Sequence, residues 1–251
     1  EFAMACISNG IALHGGLRAY CATFFVFSDY LKGALRLSAL MGLPVIYILT
    51  HDSIGVGEDG PTHEPVEQLA GLRATPNVAV YRPADGKETA AAYLTALERK
   101  GPTCIVLTRQ GLPTYEESGS GALKGGYILK DCEGSPELIY IATGSEVEQA
   151  VGAYEALSAE GVKVRVVSMP CVEVFEEQSA EYRESVLPDA VRKRVAIEAG
   201  ATAQWYKYVG LDGAVIGLDR YGASAPAGLL FEKFGFTAQH AAQVGRELMA
   251  K

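Results

Sequence analysis

Residues 43–65, LPVIYILTHDSIGVGEDGPTHEP, join a short apolar run to a loop rich in glycine and titratable side chains. Leu43 to Thr50, behind Gly42, is apolar and β-branched, the pattern of a parallel strand covered on both faces. The loop from Thr50 to Pro65 therefore starts at a strand's carboxyl end, where open α/β sheets form their ligand crevices. Gly55, Gly57 and Gly60 permit unusual backbone angles and close approach of a ligand. Two of the four histidines, His51 and His63, lie here with Asp52, Glu58 and Asp59. Such groups on a glycine-punctuated loop suggest acid–base or hydrogen-bonding work.

Plainer readings stand beside that one. A single histidine after a strand is often a hydrogen-bonded core residue. Two histidines with acids between them could hold a metal, although the spacing matches no standard zinc pattern. A metal-dependent hydrolase using His51, Asp52 and His63 is a third possibility, and stoichiometric metal in the purified chain is its test.

On either side of the loop, strands and helices alternate. Val78 to Tyr81 and Thr103 to Thr108 read as strands. Between them Asp85 to Lys100 reads as a helix, with Asp85 as N-cap, Glu88 completing a capping box and Gly101-Pro102 ending it. Asp29 to Met41 is a further helix closed by Gly42. From Gly111 to Gly126 the composition shifts to Gly, Ser, Pro and Glu, the best linker in the chain. Beyond it Leu138 to Ala142 is a strand, Thr143-Gly144-Ser145 a tight turn and Glu146 to Ala159 a helix. Val162 to Ser168 and Val195 to Glu198 are strands, and Pro226 to Phe234 and Thr237 to Met249 are closing helices. The expected architecture is α/β, with two domains that each hold a mostly parallel sheet flanked by helices. Residues 1–113 form the first domain, 114–126 the linker and 127–251 the second.

Composition sets the outer limits. The chain has 251 residues, about half of them apolar, enough for a sizeable core. Its formal charge of −8, from 22 basic and 30 acidic residues, argues against a nucleic-acid or anionic-membrane surface. Local phosphate binding by one Arg and a few amides remains compatible with it. Cys6, Cys21, Cys104, Cys132 and Cys171 form no CxxC pair, and their odd number and apolar settings indicate free thiols, as in a reducing cytosol. No apolar run reaches the ~18 residues of a membrane span, and there is no secretory leader pattern. A cytoplasmic protein is expected. The chain opens on Glu1 within a helical pattern, which predicts that it is part of a longer polypeptide.

The loop HDSIGVGEDGPTHEP resembles the signature of transketolases. The resemblance runs through nearly the whole chain, in family order: EFAMACISNGIALHGG, TFFVFSDYLKGALRLSALMGLPVIYILT, RPADG, LTRQGLP, KGGY, ATGSEVE, LDRYGASAP and FEKFGFT. Related thiamine enzymes share only a shorter DGPTH-like core, and dihydroxyacetone synthase is the relative most easily confused with it. The resemblance implies transfer of a two-carbon ketol unit from a ketose phosphate to an aldose phosphate through thiamine diphosphate, a pentose phosphate pathway reaction.

It also implies roles for particular residues. Glu1 matches the family Glu that hydrogen-bonds N1′ of the cofactor's aminopyrimidine, with Phe2 standing where the family has His. A carboxyl group there favours the imino tautomer whose 4′-nitrogen takes the thiazolium proton. Phe24, Phe27 and Tyr30 match aromatics that enclose the pyrimidine. Their i, i+3, i+6 spacing places them over about a third of a helix circumference, and on spacing alone ordinary core packing is the better reading. His63 matches the His near the cofactor's amino group and the substrate oxygen, and Asp59 the Asp on a substrate hydroxyl. His51 and Arg109 match the sugar-phosphate ligands; the plain alternative for Arg109 is a surface ion pair. Asp52 and Glu58 receive no role. In the second domain Ser145-Glu146 and Arg220 to Ser224 read as turn and packing features, with subunit contacts as the alternative, and Trp205 as core.

The family's diphosphate- and metal-binding GDG…N motif is missing from this sequence. The resemblance assigns it, with its Mg²⁺ or Ca²⁺, to a separate N-terminal domain, and builds each active site across two subunits. The expected partners are thus sugar phosphates and either a second copy in a homodimer or an N-terminal transketolase half. The chain alone is expected to be inactive, and a catalytically silent dimerisation fragment is the alternative.

Overall fold

The apolar run before the loop forms a strand over Ile46–Thr50, shorter than the expected Leu43 to Thr50. Pro44 has no N–H to give to a ladder, so Leu43 to Val45 is only a lead-in. In the computed structural model, which describes residues 1–251, this is the second of four strands, β1 (Tyr20–Phe24), β2 (Ile46–Thr50), β3 (Ala79–Tyr81) and β4 (Thr103–Leu107). All pairings are parallel and the order is β1-β2-β4-β3. Four helices flank the sheet: α1 (Phe2–His14), α2 (Ser28–Met41), α3 (Gln68–Arg73) and α4 (Gly86–Glu98). The α2 helix stops at Gly42 with φ 65°, as expected of a left-handed cap. At α4 the Asp85 carboxylate accepts from the Glu88 amide at 2.9 Å. Glu88 reaches back to the Ala84 amide at 2.7 Å, one residue earlier than the standard box.

Alternation along β2 divides the core. Tyr47 and Leu49 join Phe25, Leu31 and Leu35 under α1 and α2, while Ile46 joins Tyr81, Ile105, Cys171 and Val174 on the other face. Each such fully buried large side chain contributes roughly 1.5–3 kcal/mol. Because Cys171 and Val174 come from the second domain, the second face is shared between the domains.

The second sheet has five strands, β5 (Tyr127–Lys130), β6 (Leu138–Ala142), β7 (Val164–Ser168), β8 (Arg194–Ile197) and β9 (Ala214–Ile216), in the order β5-β7-β6-β8-β9. Only β5 runs antiparallel. Helices α5 (Val147–Ala159), α6 (Val172–Glu176), α7 (Ala180–Val186), α8 (Tyr206–Val209), α9 (Ala227–Lys233) and α10 (Ala238–Met249) surround it. Thr237 caps α10 by accepting from the His240 amide, and Trp205 is in the core at 1 % exposure. All five cysteines are free.

The connecting segment is docked rather than loose. Lys87 Nζ donates to the Tyr115 and Glu116 carbonyls at 2.7 and 3.1 Å, and the Ser118 hydroxyl donates to Asp85 at 2.5 Å. A Cβ on Gly126 would meet Met169 Sδ at 2.3 Å, so close packing and not flexibility explains this glycine.

Candidate functional site

The carboxyl ends of three adjacent strands deliver the predicted residues to one face. Phe24 is the last residue of β1, His51 follows β2, and Arg109 lies two residues past β4. Glu1, just ahead of α1, accepts a hydrogen bond from the Thr23 hydroxyl at 3.1 Å. The Phe24 ring stacks on the His51 imidazole, centroids 3.8 Å apart and planes 20° apart. Phe27 lies parallel to Phe24 at 6.3 Å, meets the edge of His63 at 5.6 Å and stands 6.1 Å from Tyr30. The three aromatics and both histidines thus form one continuous shelf, and Glu1 is tied to Thr23, the residue before Phe24.

One expectation about the aromatics fails. They do not share a helix face: Phe24 ends a strand, Phe27 closes the 3-10 turn Phe25–Phe27, and Tyr30 lies in the first turn of α2. Phe25, between them, has the core position instead, at 0 % exposure. Phe24 and Phe27 are half-buried and Tyr30 is 66 % exposed, so their ring surfaces are available to a ligand. A shelf of partly exposed aromatic rings, with the Glu1 carboxylate held by the residue before Phe24, fits a flat, nitrogen-bearing heteroaromatic ring.

His51 has φ 65°, a left-handed conformation uncommon outside glycine, though His is among the residues that tolerate it. Such backbone costs about 1–3 kcal/mol and persists only where the surroundings enforce it. The His51 ring bonds through Nδ1 to the Thr50 hydroxyl at 3.0 Å. Burial, and then the charge of Arg109, hold its pKa below the usual imidazole value, against Asp59 and Asp52 pulling upward. His51 is therefore neutral near pH 7, and Arg109 and Asp59 are close enough to act on it. Arg109 is exposed and joins no ion pair, leaving its fork of donors free. Asp59 is exposed at the loop's outer turn, and His63 Nδ1 pairs with the Thr62 hydroxyl at 2.9 Å.

Asp52 faces the other way. At 1 % exposure it is bonded to Arg82, so it is not available to complete a metal or hydrolase set with His51 and His63. No group of three or more His, Cys, Asp or Glu is placed to hold a metal ion. Gly57 and Gly60 take the unusual backbone angles expected of them, φ 87° and 75°. Both face the second domain: a Cβ on Gly57 would be in ordinary contact with the Ala225 carbonyl at 3.5 Å, and one on Gly60 would be tight against Ser224 Cβ at 3.1 Å. The Ser224 hydroxyl donates to the Glu58 carbonyl at 2.5 Å. The Arg220 to Ser224 segment is thus a packing feature, and its partner is the site loop of the same chain. Glu64 sits in this seam at 2 % exposure, and burial pushes its pKa up to about 7 against the downward pull of the nearby Ala223 amide.

Three relevant residues escaped the sequence reading: Thr23, Glu64 and Arg82. Arg82 had a usable signal, a lone cation directly after a wholly apolar strand and before a proline. Glu64 had none, since a Glu in a loop is ordinarily solvated.

Two family models match the chain: "Transketolase, pyrimidine binding domain" over residues 1–114 and "Transketolase-like TK C-terminal domain" over residues 125–237. A probable transketolase of Streptococcus pneumoniae is 58 % identical over 250 residues, 99 % of this chain and 38 % of its own length. The structure of transketolase from Leishmania mexicana superposes with a TM-score of 0.95 at 46 % identity, covering 99 % of this chain and 37 % of that one. A Pichia stipitis transketolase solved in complex with sedoheptulose-7-phosphate gives 0.94 at 46 % identity, covering 99 % and 36 %. The chain therefore spans well under half the length of the relatives it matches.

Proposed function

Because this chain belongs to the transketolase family, we propose that it supplies the pyrimidine and sugar-phosphate side of a transketolase active site. The reaction is transfer of a two-carbon ketol unit from a ketose phosphate to an aldose phosphate, within the pentose phosphate pathway of the cytoplasm. Thiamine diphosphate, when bound, supplies the nucleophilic carbon that carries this unit. Glu1 bonds the aminopyrimidine at N1′ and fixes its protonation, with the Thr23 hydroxyl steadying the carboxylate. Phe24, Phe27 and Tyr30 take the flat ring and keep water from its face. His63, braced by Phe27, exchanges a proton with the substrate oxygen. Asp59 accepts from a substrate hydroxyl, and neutral His51 with Arg109 takes the phosphate. The diphosphate and its Mg²⁺ or Ca²⁺ are assigned to an N-terminal domain, in a second copy within a homodimer or in a separate N-terminal half.

The observation that carries this reading is the single shelf of Phe24, Phe27, Tyr30, His51 and His63, with Glu1 tied to the residue before Phe24. The test mixes the chain with an N-terminal transketolase half, Mg²⁺ and thiamine diphosphate, and follows transfer from sedoheptulose-7-phosphate to an aldose phosphate. Transfer that depends on both proteins and falls sharply in His63→Ala is expected. Silence from a folded chain whose Glu1 is ordered would reject it.

A second reading, a module that only associates, is favoured by one feature. Ile7, Leu13, Leu17, Tyr20, Leu40 and Met41 leave the α1, β1 and α2 side apolar and 50–71 % exposed. It predicts a dimer by light scattering with no cofactor uptake under any reconstitution.

A further inference from the structure

The second sheet has a place for a ligand, and the first domain fills it. In the order β5-β7-β6-β8-β9 the connections leave β6 and β8 in opposite directions, so the crevice lies at the carboxyl ends of these two strands. Thr143, Ser145 and Glu146 follow β6, and Glu198 follows β8. Into this crevice comes Arg82, from the end of β3, with a side chain 0 % exposed. Its Nη1 donates to the Thr143 carbonyl and hydroxyl, both at 3.0 Å, and to Glu146. Its Nη2 reaches the Ser145 hydroxyl at 3.4 Å. Gly144 is shaped to it: a Cβ there would stand 2.8 Å from the Arg82 Cζ. The Thr143 hydroxyl passes a hydrogen bond on to Glu198 at 2.5 Å, and Glu198 holds Arg73 of α3 at 2.8 and 2.9 Å.

The remaining side of the Arg82 guanidinium is turned to the site. Its Nε donates to Asp52 at 2.8 Å, and Nη2 lies 2.7 Å from the same carboxylate. Asp52 is bonded through the main chain to His51, whose left-handed backbone needs an outside constraint. We infer that the C-terminal domain is a positioning element for the sugar-phosphate site: Glu146 and the Thr143-Gly144-Ser145 turn grip Arg82, which grips Asp52 and so holds His51 in place beside Phe24. Arg82 and Glu146 are positioning residues, since neither touches the shelf. The inference rests on the proposed function only for what His51 binds; the grip itself belongs to this chain alone.

The test uses Glu146→Gln, Gly144→Ala and Arg82→Lys in the full chain, with two independent readouts. The first is the His51 ring signal by NMR, assigned among the four imidazoles with His51→Asn. In each folded variant it should shift, and its titration midpoint should rise by a few tenths of a unit as the ring gains water. The second is kcat/KM in the reconstituted enzyme for a ketose phosphate and for the same ketose without phosphate. The first substrate should lose about tenfold or more while the second stays within about threefold, because only the phosphate ligand has moved. Glu146→Gln keeps the side chain's shape and decides the matter if the other two do not fold. A His51 signal identical to the original in folded Glu146→Gln overturns the inference, and so does an equal loss for both substrates. If the unaltered chain shows no transfer at all, the proposed function fails, and the NMR readout still decides the positioning.

Discussion

His51 and Asp52 are neighbours in sequence and opposites in surroundings. His51 lies on an open shelf among half-exposed rings and unpaired charges, in strained backbone. Asp52 lies in a dry junction in which every nitrogen of its partner Arg82 is bonded. One peptide unit separates a surface left free for a ligand from a contact between domains. The difference teaches that exposure and precision are supplied by different residues: the shelf offers chemistry, and the junction behind it supplies rigidity.

The comparison breaks most visibly at the shelf. In the reconstituted enzyme, Glu1→Gln or His63→Ala should lower kcat/KM about 10²–10⁴-fold, the range for loss of a positioned proton-handling group, with melting temperature nearly unchanged. An unaltered rate in either variant would remove that residue from the chemistry. At the junction the expectation is reversed. Arg82→Met leaves Asp52 and Glu146 as unpaired buried anions and should cost ~3–5 kcal/mol. At ~2–4 °C per kcal/mol for a chain of this size, differential scanning calorimetry should see a drop of at least about 6 °C. A drop under 2 °C would mean that the junction does not hold the domains.

Glu64 gives a pH-dependent version of the contrast. Its folded pKa of about 7 lies above the ordinary carboxylate value of 4.5. The folded state therefore binds the proton more tightly, and the stability linked to that proton is full below pH 4.5 and lost as pH rises to about 7. Glu64→Gln removes this dependence, so its melting temperature should gain on the parent between pH 4.5 and 7 and hold the gain at pH 8. A difference that is flat over this range would contradict the burial assigned to Glu64. A smaller effect is expected from Arg109→Ala, which removes a cation near His51 and should raise the imidazole's NMR titration midpoint. A midpoint that stays or falls would separate Arg109 from His51. The smallest belongs to Arg246, paired with Glu160 at 2.5 Å but 42 % exposed. Water and salt screen such a pair, and Arg246→Gln should leave the melting temperature unchanged within error.

Much of the fold was legible because burial on both faces leaves continuous apolar runs, as in β2, β4 and β6, and because Gly42, Asp85 and Thr237 mark helix ends by local chemistry. The short strands β1, β5 and β9 were not read. Each lies at the edge of its sheet and is only partly buried, and its few apolar residues are too short a run to stand out from the sequence around them. The site loop was visible as a concentration of titratable groups at a strand's end. The aromatics misled because a spacing of three suits a helix, whereas here the chain changes from strand to 3-10 turn to helix within seven residues, Phe24 to Tyr30. The junction was illegible because Arg82 and Glu146 lie 64 positions apart and meet only through tertiary structure.

If this chain carries one side of a shared active site, activity must follow its stoichiometry with the other side. With an N-terminal transketolase half held fixed in saturating Mg²⁺ and thiamine diphosphate, ketol transfer is measured as this chain is added. Activity should rise linearly and level off at one chain per half, with neither protein active alone. A folded chain that produces no transfer at any ratio, or a half whose rate is the same with and without it, would rule out a shared site.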